Sequence, residues 1–142
     1  MSHPLALHTW TLDSTPLADA LAVARQTGWD AVELRRVDFL RAREAGKTDE
    51  EVLGWVRASG LSAACVGVEL GWVYADGAEL ARLLGVFDES CRAAAALGCL
   101  RVMSAVGPGQ GALPTMAERV REAAAIAASH GVRLAFEFSY GA

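Results

Sequence analysis

Six side chains that could bind a ligand or move a proton recur at equivalent places, each near the end of a β-rich run. They are His8, Trp10, Glu33, Arg35, Glu69 and Glu137. Carboxylates that converge with an imidazole suit a hard or borderline divalent ion and a polyhydroxylated ligand, and a tryptophan offers an apolar wall. The alternative is that these glutamates contact only water or pair with Arg35 and Arg36. The fold decides between the two, because the first interpretation needs these side chains to converge at one rim.

An internal repeat predicts the elements that position these side chains. Four helical segments end at a glycine that precedes a β-rich run, and the glycines are spaced by 32, 38 and 33 residues. That period is typical of a strand plus a crossover helix, and glycine suits the left-handed residue that follows a helix. The pattern predicts strands near 5–11, 31–36, 62–69, 99–106 and 132–138, and helices near 16–27, 49–58, 78–97 and 116–129. Thr48 to Glu51 and Thr115 to Glu118 fit the capping box that begins a helix.

The alternation of strands and helices predicts an α/β fold with a parallel sheet, either open or closed into a barrel. The strands have one apolar and one mixed face, as Leu134 and Phe136 oppose Arg133, Ala135 and Glu137. Because the mixed faces become polar toward the strand ends, a (β/α)8 barrel is favoured. A complete barrel takes about 250 residues. We therefore predict a single domain over residues 1–142 that is an incomplete barrel of five parallel strands and four helices, either truncated or completed by another chain.

Composition and charge exclude several classes of protein. The chain has 142 residues, 53% of them hydrophobic, and a net charge of −4, so a nucleic-acid partner is not expected. The apolar runs are too short to span a membrane, and the N-terminus carries no secretory signal pattern, so we expect a cytoplasmic protein. Cys65, Cys91 and Cys99 form no C-x-x-C pair and are predicted to be buried, reduced thiols.

A glycine-rich segment follows the fourth predicted strand. Gly107 to Ala112 formally fits the G-x-G-x-x-A dinucleotide fingerprint. That fingerprint opens directly into a helix, whereas here Leu113 and Pro114 precede the predicted cap at Thr115. The segment is therefore interpreted as an active-site loop rather than a nucleotide cradle.

Three segments carry a resemblance that covers the chain in order: Leu7 to Thr11, Gly28 to Leu34 and Gly131 to Glu137. They resemble the N-terminal half of the sugar phosphate isomerase/epimerase superfamily, the xylose isomerase-like TIM barrels. The resemblance implies that Glu137 binds a divalent metal (Mn, Mg, Zn or Co) and acts as an acid/base, and that His8, Trp10 and Glu33 line the substrate pocket. The family's other ligands, an Asp, a His and a second Glu, come from later strands that this chain lacks. The chain alone is therefore expected to bind metal weakly and to turn over no substrate.

Two functions follow as expectations. In the first, the complete protein is an isomerase or epimerase that uses a divalent metal to move a proton next to a carbonyl of a sugar or polyol. In the second, the chain is a non-catalytic half-barrel that binds a small molecule and associates into a homo-oligomer through its open sheet edges. The endonuclease branch of the superfamily is disfavoured by the net charge of −4.

Overall fold

A single parallel sheet in the chain order β1-β2-β3-β4-β5 organises the protein, whose computed structural model describes residues 3–137. The strands are β1 (Ala6–His8), β2 (Ala31–Leu34), β3 (Ser62–Gly67), β4 (Arg101–Ala105) and β5 (Arg133–Glu137). The helices are α1 (Leu17–Gln26), α2 (Arg36–Glu44), α3 (Asp49–Ser59), α4 (Gly77–Ala96) and α5 (Leu113–Ser129). Every neighbouring pair of strands is parallel, so the predicted α/β fold with five parallel strands is confirmed.

The predicted helix ends are also confirmed. Gly28, Gly60, Gly98 and Gly131 all have a positive φ, which lets the chain leave each helix and enter the next strand. At the start of α3, the Thr48 hydroxyl accepts from the Glu51 backbone N–H at 3.2 Å. The Glu51 carboxylate accepts in return from the Thr48 N–H at 2.8 Å, which completes the capping box.

The prediction of four α-helices was wrong, because α2 begins immediately after β2. Its sequence is strongly polar and lacks a Ser, Thr, Asp or Asn cap before it. The Asp38 side chain instead reaches back from the first turn and accepts from the Arg35 N–H at 2.8 Å. A carboxylate in the first turn satisfies an otherwise unpaired donor there and interacts favourably with the helix dipole.

The second predicted capping box was wrong as well. The α5 helix begins at Leu113, and the Met116 N–H bonds the carbonyl of Ala112, so Thr115 lies inside the first turn. Pro114 explains the early start, since its fixed φ and missing N–H suit the first positions of a helix. The glycine-rich segment therefore runs directly into α5. The gap before the helix, which was the argument against a dinucleotide-binding loop, is absent.

The first strand is shorter than predicted. It ends at His8, and residues Thr9–Leu12 form one turn of 3₁₀ helix that is closed by the Asp13 N–H bonding the Trp10 carbonyl. Trp10 therefore does not continue the strand face that carries His8. Its side chain projects from the turn and is 70% exposed.

The two faces of the sheet differ as the sequence predicted. Helices cover the face that carries Leu7, Val32, Leu34, Val66 and Val102, all of which are buried. An apolar stripe of α4 lies in this core, and its members are Leu80, Leu83, Leu84 and Phe87. The three cysteines are buried and unpaired, as predicted.

The opposite face of the sheet carries the polar residues and is open toward β5, where Arg133, Ala135 and Glu137 are exposed. Within the described residues, no helix combines the length and the apolar character needed to cross a membrane.

Candidate functional site

The carboxyl ends of the parallel strands lie along one edge of the sheet, and they bring His8 and Glu33 together. These two residues are partners in the β1–β2 register, and His8 Nε2 lies 3.7 Å from Glu33 Oε1. Both side chains are partly exposed, at 33% and 26%. A register irregularity after Val32 then places Glu33 beside Cys65 of β3. Two of the six predicted site residues, His8 and Glu33, therefore form one polar pair at the rim.

The turn after β1 fixes the orientation of the His8 ring. The Trp10 N–H donates to His8 Nδ1 at 3.0 Å, so Nδ1 acts as an acceptor. In neutral His8 the proton then resides on Nε2, the atom that faces Glu33. The Trp10 ring lies beside the imidazole, with 6.2 Å between ring centroids and a tilt of 45°. An exposed aromatic ring next to a carboxylate and an imidazole is a suitable wall for a polar ligand with apolar faces.

Arg35 lies in a network of hydrogen bonds at the ends of β1 and β2. Its Nη2 donates to Asp38 Oδ1 at 3.0 Å, its Nε donates to Thr9 Oγ1 at 3.0 Å, and its Nη1 contacts Asp13 Oδ1 at 2.5 Å. The Thr9 hydroxyl also donates to Asp38 Oδ2 at 2.6 Å. Because Thr9 follows His8 and Arg35 follows β2, these bonds tie the ends of β1 and β2 to each other.

The outer part of this network is exposed. Arg41 of α2 donates from Nη1 to the Asp13 backbone carbonyl at 2.7 Å and to its carboxylate at 3.1 Å. Hydrogen bonds from Arg41 and then Arg35 hold the pKa of the Asp13 carboxyl below its usual range. Sequence analysis missed Thr9, Asp13 and Asp38. The one local signal for them was Asp38, three residues after Arg35. Its carboxylate is at the spacing of a cap in the first turn of a helix, but α2 was not predicted.

Glu69 and Glu137 are not brought to the His8–Glu33 pair by any contact in the described part of the chain. Glu69 lies two residues beyond β3 and accepts from Arg82 of α4 at 3.1 Å. Glu137 ends β5 in register with Ala105 and is exposed. His8 and Glu137 thus lie on the two outermost strands of the sheet.

The chemistry of a metal ion requires more donors than these residues supply together. Among the described residues, no three His, Cys, Asp or Glu side chains are close enough to hold a metal ion. Glu33 offers one carboxylate at this rim, and Glu137 offers another at the other side of the sheet. The residues present therefore fit part of a metal site but do not complete one.

The loops after β3 and β4 pack against each other at the same edge. A Cβ added to Gly109 would lie 2.3 Å from Cδ2 of Tyr74, and one added to Gly107 would lie 3.1 Å from the backbone of Gly71. The glycines are therefore explained by close contact between loops. Trp72 is fully buried and donates from Nε1 to Ser104 Oγ at 2.9 Å.

A cleft with a volume of about 500 Å³ lies beside this edge. Asp13, Pro16, Arg41 and Trp55 are among its walls, and none of the six predicted site residues lines it. The cleft is thus bounded by the loop after β1 and by helices α2 and α3. It is separate from the His8–Glu33 pair.

Three solved structures with the same fold are each about twice as long as this chain. An IolI protein with a bound zinc atom superposes with a TM-score of 0.80 at 17% identity, covering 96% of this chain and 51% of the other. A xylose isomerase domain protein from Alicyclobacillus acidocaldarius gives 0.77 at 26% identity, covering 95% and 50%. The 3-keto-D-glucoside 4-epimerase YcjR from E. coli, in its apo form, gives 0.72 at 13% identity, covering 95% and 56%.

A family model adds evidence at the level of sequence, whereas no curated protein matches the chain. The model describes the xylose isomerase-like TIM barrel and matches residues 21–141, which is most of the chain. With the strand order and the shared fold above, this match shows that the chain belongs to the xylose isomerase-like TIM barrel family.

Proposed function

We propose that the complete protein is a sugar isomerase or epimerase that moves a proton next to a carbonyl with the help of a divalent metal. The observation that carries the proposal is the His8–Glu33 pair beside the exposed Trp10 ring, at the carboxyl ends of parallel strands. In barrels of this type, the catalytic groups lie at that edge. The activity belongs to the complete protein, because the chain spans about half the length of the structures it resembles. The expected compartment is the cytoplasm.

In this proposal Glu137 is the metal-binding carboxylate and the acid/base of the chain. Its position supports the assignment, since it ends β5 and is exposed. A divalent metal, when bound, stabilises the negative charge that develops on the carbonyl oxygen as the neighbouring proton leaves. The zinc atom in the IolI structure supports the use of such a metal in this family. The remaining ligands must come from outside the described residues, because too few donors lie together there.

The substrate in this proposal is a sugar or polyol that contacts His8, Glu33 and Trp10. Hydroxyl groups can bond the Glu33 carboxylate and the Nε2 proton of His8, while the tryptophan ring packs against the C–H face of a sugar. The fold shared with a 3-keto-D-glucoside 4-epimerase supports this substrate class. Arg35 and Glu69 act indirectly, since Arg35 is held by Asp38 and Asp13 and Glu69 by Arg82.

A second candidate is a half-barrel that binds a small molecule without turnover. It is favoured by the division of the site, because the ligand-binding wall lies on β1 and β2 whereas Glu137 lies on β5. Such a protein would bind a sugar at His8, Glu33 and Trp10 whether or not a metal is present. Metal dependence therefore discriminates the two functions.

The test is a titration with Mn²⁺ followed by electron paramagnetic resonance, on the wild type, Glu137→Gln and Glu118→Gln. Glu118 is the matched control, because it is an exposed glutamate on α5. We expect weak binding, with a dissociation constant of about 1 mM, that is lost in Glu137→Gln and kept in Glu118→Gln. Equal affinity in the two variants would overturn the metal assignment.

The substrate site is tested separately by saturation-transfer NMR with a ketose and a polyol. Trp10→Ala is expected to abolish the transfer, whereas Leu113→Ala, which removes an equally exposed apolar side chain from α5, should not change it. Transfer that persists in Trp10→Ala would refute the rim as the sugar site. Transfer that is independent of Mn²⁺, together with no metal binding by any variant, would favour the non-catalytic half-barrel.

A further inference from the structure

The turn of 3₁₀ helix after β1 is anchored by the side chain of its first residue, Thr9. Among the four described residues of this turn, Thr9 is the one that is buried, with 4% of its surface exposed. Leu12 is half-buried, and the Trp10 ring is 70% exposed and does not hold the turn by packing. The position of the turn therefore depends on the bonds that the Thr9 side chain makes.

Two bonds connect the Thr9 hydroxyl to other elements of the fold. It donates to Asp38 Oδ2 of α2 at 2.6 Å, and it accepts from Arg35 Nε at the end of β2 at 3.0 Å. Asp38 is 6% exposed, so water competes little for its carboxylate. Hydrogen bonds to ionised partners are about twice as strong as those between neutral groups. Because its donor and one acceptor site are both used, the hydroxyl has one preferred orientation.

The position of Thr9 is passed on to His8 through a single peptide unit. His8 precedes the turn, and its Nδ1 accepts from the Trp10 N–H at 3.0 Å. The bond has the form of an Asx turn, in which a side-chain acceptor bonds the N–H two residues later. The Trp10 N–H belongs to the peptide unit that joins Thr9 to Trp10. A displacement of Thr9 therefore changes the direction of the donor that holds the imidazole.

The orientation of the ring decides what the His8–Glu33 pair offers to a ligand. With Nδ1 bonded to the backbone, the Nε2 proton of neutral His8 faces Glu33. Nε2 and Glu33 Oε1 are 3.7 Å apart, which is beyond hydrogen-bond distance. The pair thus presents one donor and one acceptor to the same space. A hydroxyl group can use both, since it donates and accepts.

We propose that Thr9 is a positioning residue for the His8–Glu33 pair. Its bonds to Asp38 and Arg35 fix the Trp10 N–H, and this N–H holds His8 with its Nε2 proton toward Glu33. Thr9 contacts no ligand in this arrangement and acts through His8. Its importance for substrate binding rests on the proposed function, whereas the chain of hydrogen bonds does not and can be tested without sugar or metal.

The first experiment is NMR of the ¹⁵N-labelled 142-residue chain at about pH 8.5, where an ordinary imidazole is neutral. The scalar coupling between the Trp10 amide nitrogen and His8 Nδ1 reports the hydrogen bond directly. We expect this coupling in the wild type and in Thr9→Ser, which keeps the hydroxyl, and its loss in Thr9→Val, which keeps the shape. In Thr9→Val the Trp10 amide should exchange with solvent at least about tenfold faster, because a hydrogen bond to a charged group is lost.

Thr48→Ala is the matched control, since it removes a threonine hydroxyl that caps α3. It should leave the coupling in place and the exchange rate of the Trp10 amide within about twofold, because distant sites act independently. A wild type without the coupling, or an equal coupling in the wild type and Thr9→Val, would overturn the proposal. If the amide spectrum of Thr9→Val is not that of a folded protein, Thr9→Ala removes the same hydroxyl and takes its place.

The second experiment measures binding of the same ketose and polyol by saturation-transfer NMR. Affinity should fall at least about threefold in Thr9→Val and be kept in Thr9→Ser, since the hydrogen-bond donor of His8 is no longer held in place. Unchanged affinity in a Thr9→Val protein that has lost the coupling would refute the positioning role. If the coupling responds as expected but the wild type binds neither compound, the proposed substrate is wrong and the positioning of His8 by Thr9 stands.

Discussion

Replacing Asp38 by alanine should be among the most destabilising single changes in α2. The carboxylate is 6% exposed and accepts from the Thr9 hydroxyl, the Arg35 N–H and the Arg35 guanidinium, at 2.6, 2.8 and 3.0 Å. Removing it leaves three donors without their acceptor at the junction of β1, β2 and α2. The arrangement is costly to break because a partly buried guanidinium loses its most buried counter-charge.

The magnitude follows from these contacts. Loss of one partner from a buried ion pair costs about 3–5 kcal/mol. Arg35 keeps its bond to Asp13 and its bond to Thr9, so the lower end of that range applies, about 3 kcal/mol. Asp38→Asn retains one acceptor oxygen and should cost about half as much, since a hydrogen bond to a charged group contributes about 1.5–3 kcal/mol.

The assay is equilibrium unfolding in urea, with Asp13→Ala as the matched control. Asp13 belongs to the same network but its side chain is 45% exposed, so its loss should be much smaller than that of Asp38. The slope of free energy against urea should be unchanged in both variants, which would locate the effect in the folded state. If Asp38→Ala and Asp13→Ala shift the midpoint equally, the buried network does not stabilise the β1–β2 junction as argued.

Two further predictions test other parts of the fold. Thr48→Ala should lower the free energy of unfolding by about 1 kcal/mol, because it removes the cap of α3. Thr115→Ala lies inside α5 and should have little effect on that free energy or raise it slightly. Equal losses for the two variants in urea unfolding would mean that α5 does not begin at Leu113. Burial raises the pKa of the Cys65 and Cys91 thiols to about 12, so at pH 8 only about 10⁻⁴ of each is thiolate and the folded protein should not react with a disulfide reagent at these positions. Labelling is followed by mass spectrometry. If either thiol of the folded protein were labelled at a rate similar to that of the protein unfolded in urea, its burial would be contradicted.

Most of the fold could be predicted because its signals are local. A glycine after each crossover helix and one Ser/Thr-x-x-Glu box are read directly from the chain, and the four glycines do have a positive φ. The errors have a common cause, which is that a competing local feature defined the helix start. Arg36–Glu44 is too polar for an apolar stripe and is capped from inside by Asp38, and Pro114 begins α5 ahead of the threonine.

The site was predictable only in part, because its members depend on contacts between distant segments. That His8 and Glu33 would meet follows from parallel pairing of neighbouring strands, and the 3.7 Å contact agrees with it. The role of Arg35 does not follow, since its partners Thr9 and Asp13 lie more than twenty positions earlier in the chain. The position of a residue at a strand end predicts the edge of the sheet at which its side chain lies. Ion pairs with other segments determine which groups that side chain contacts.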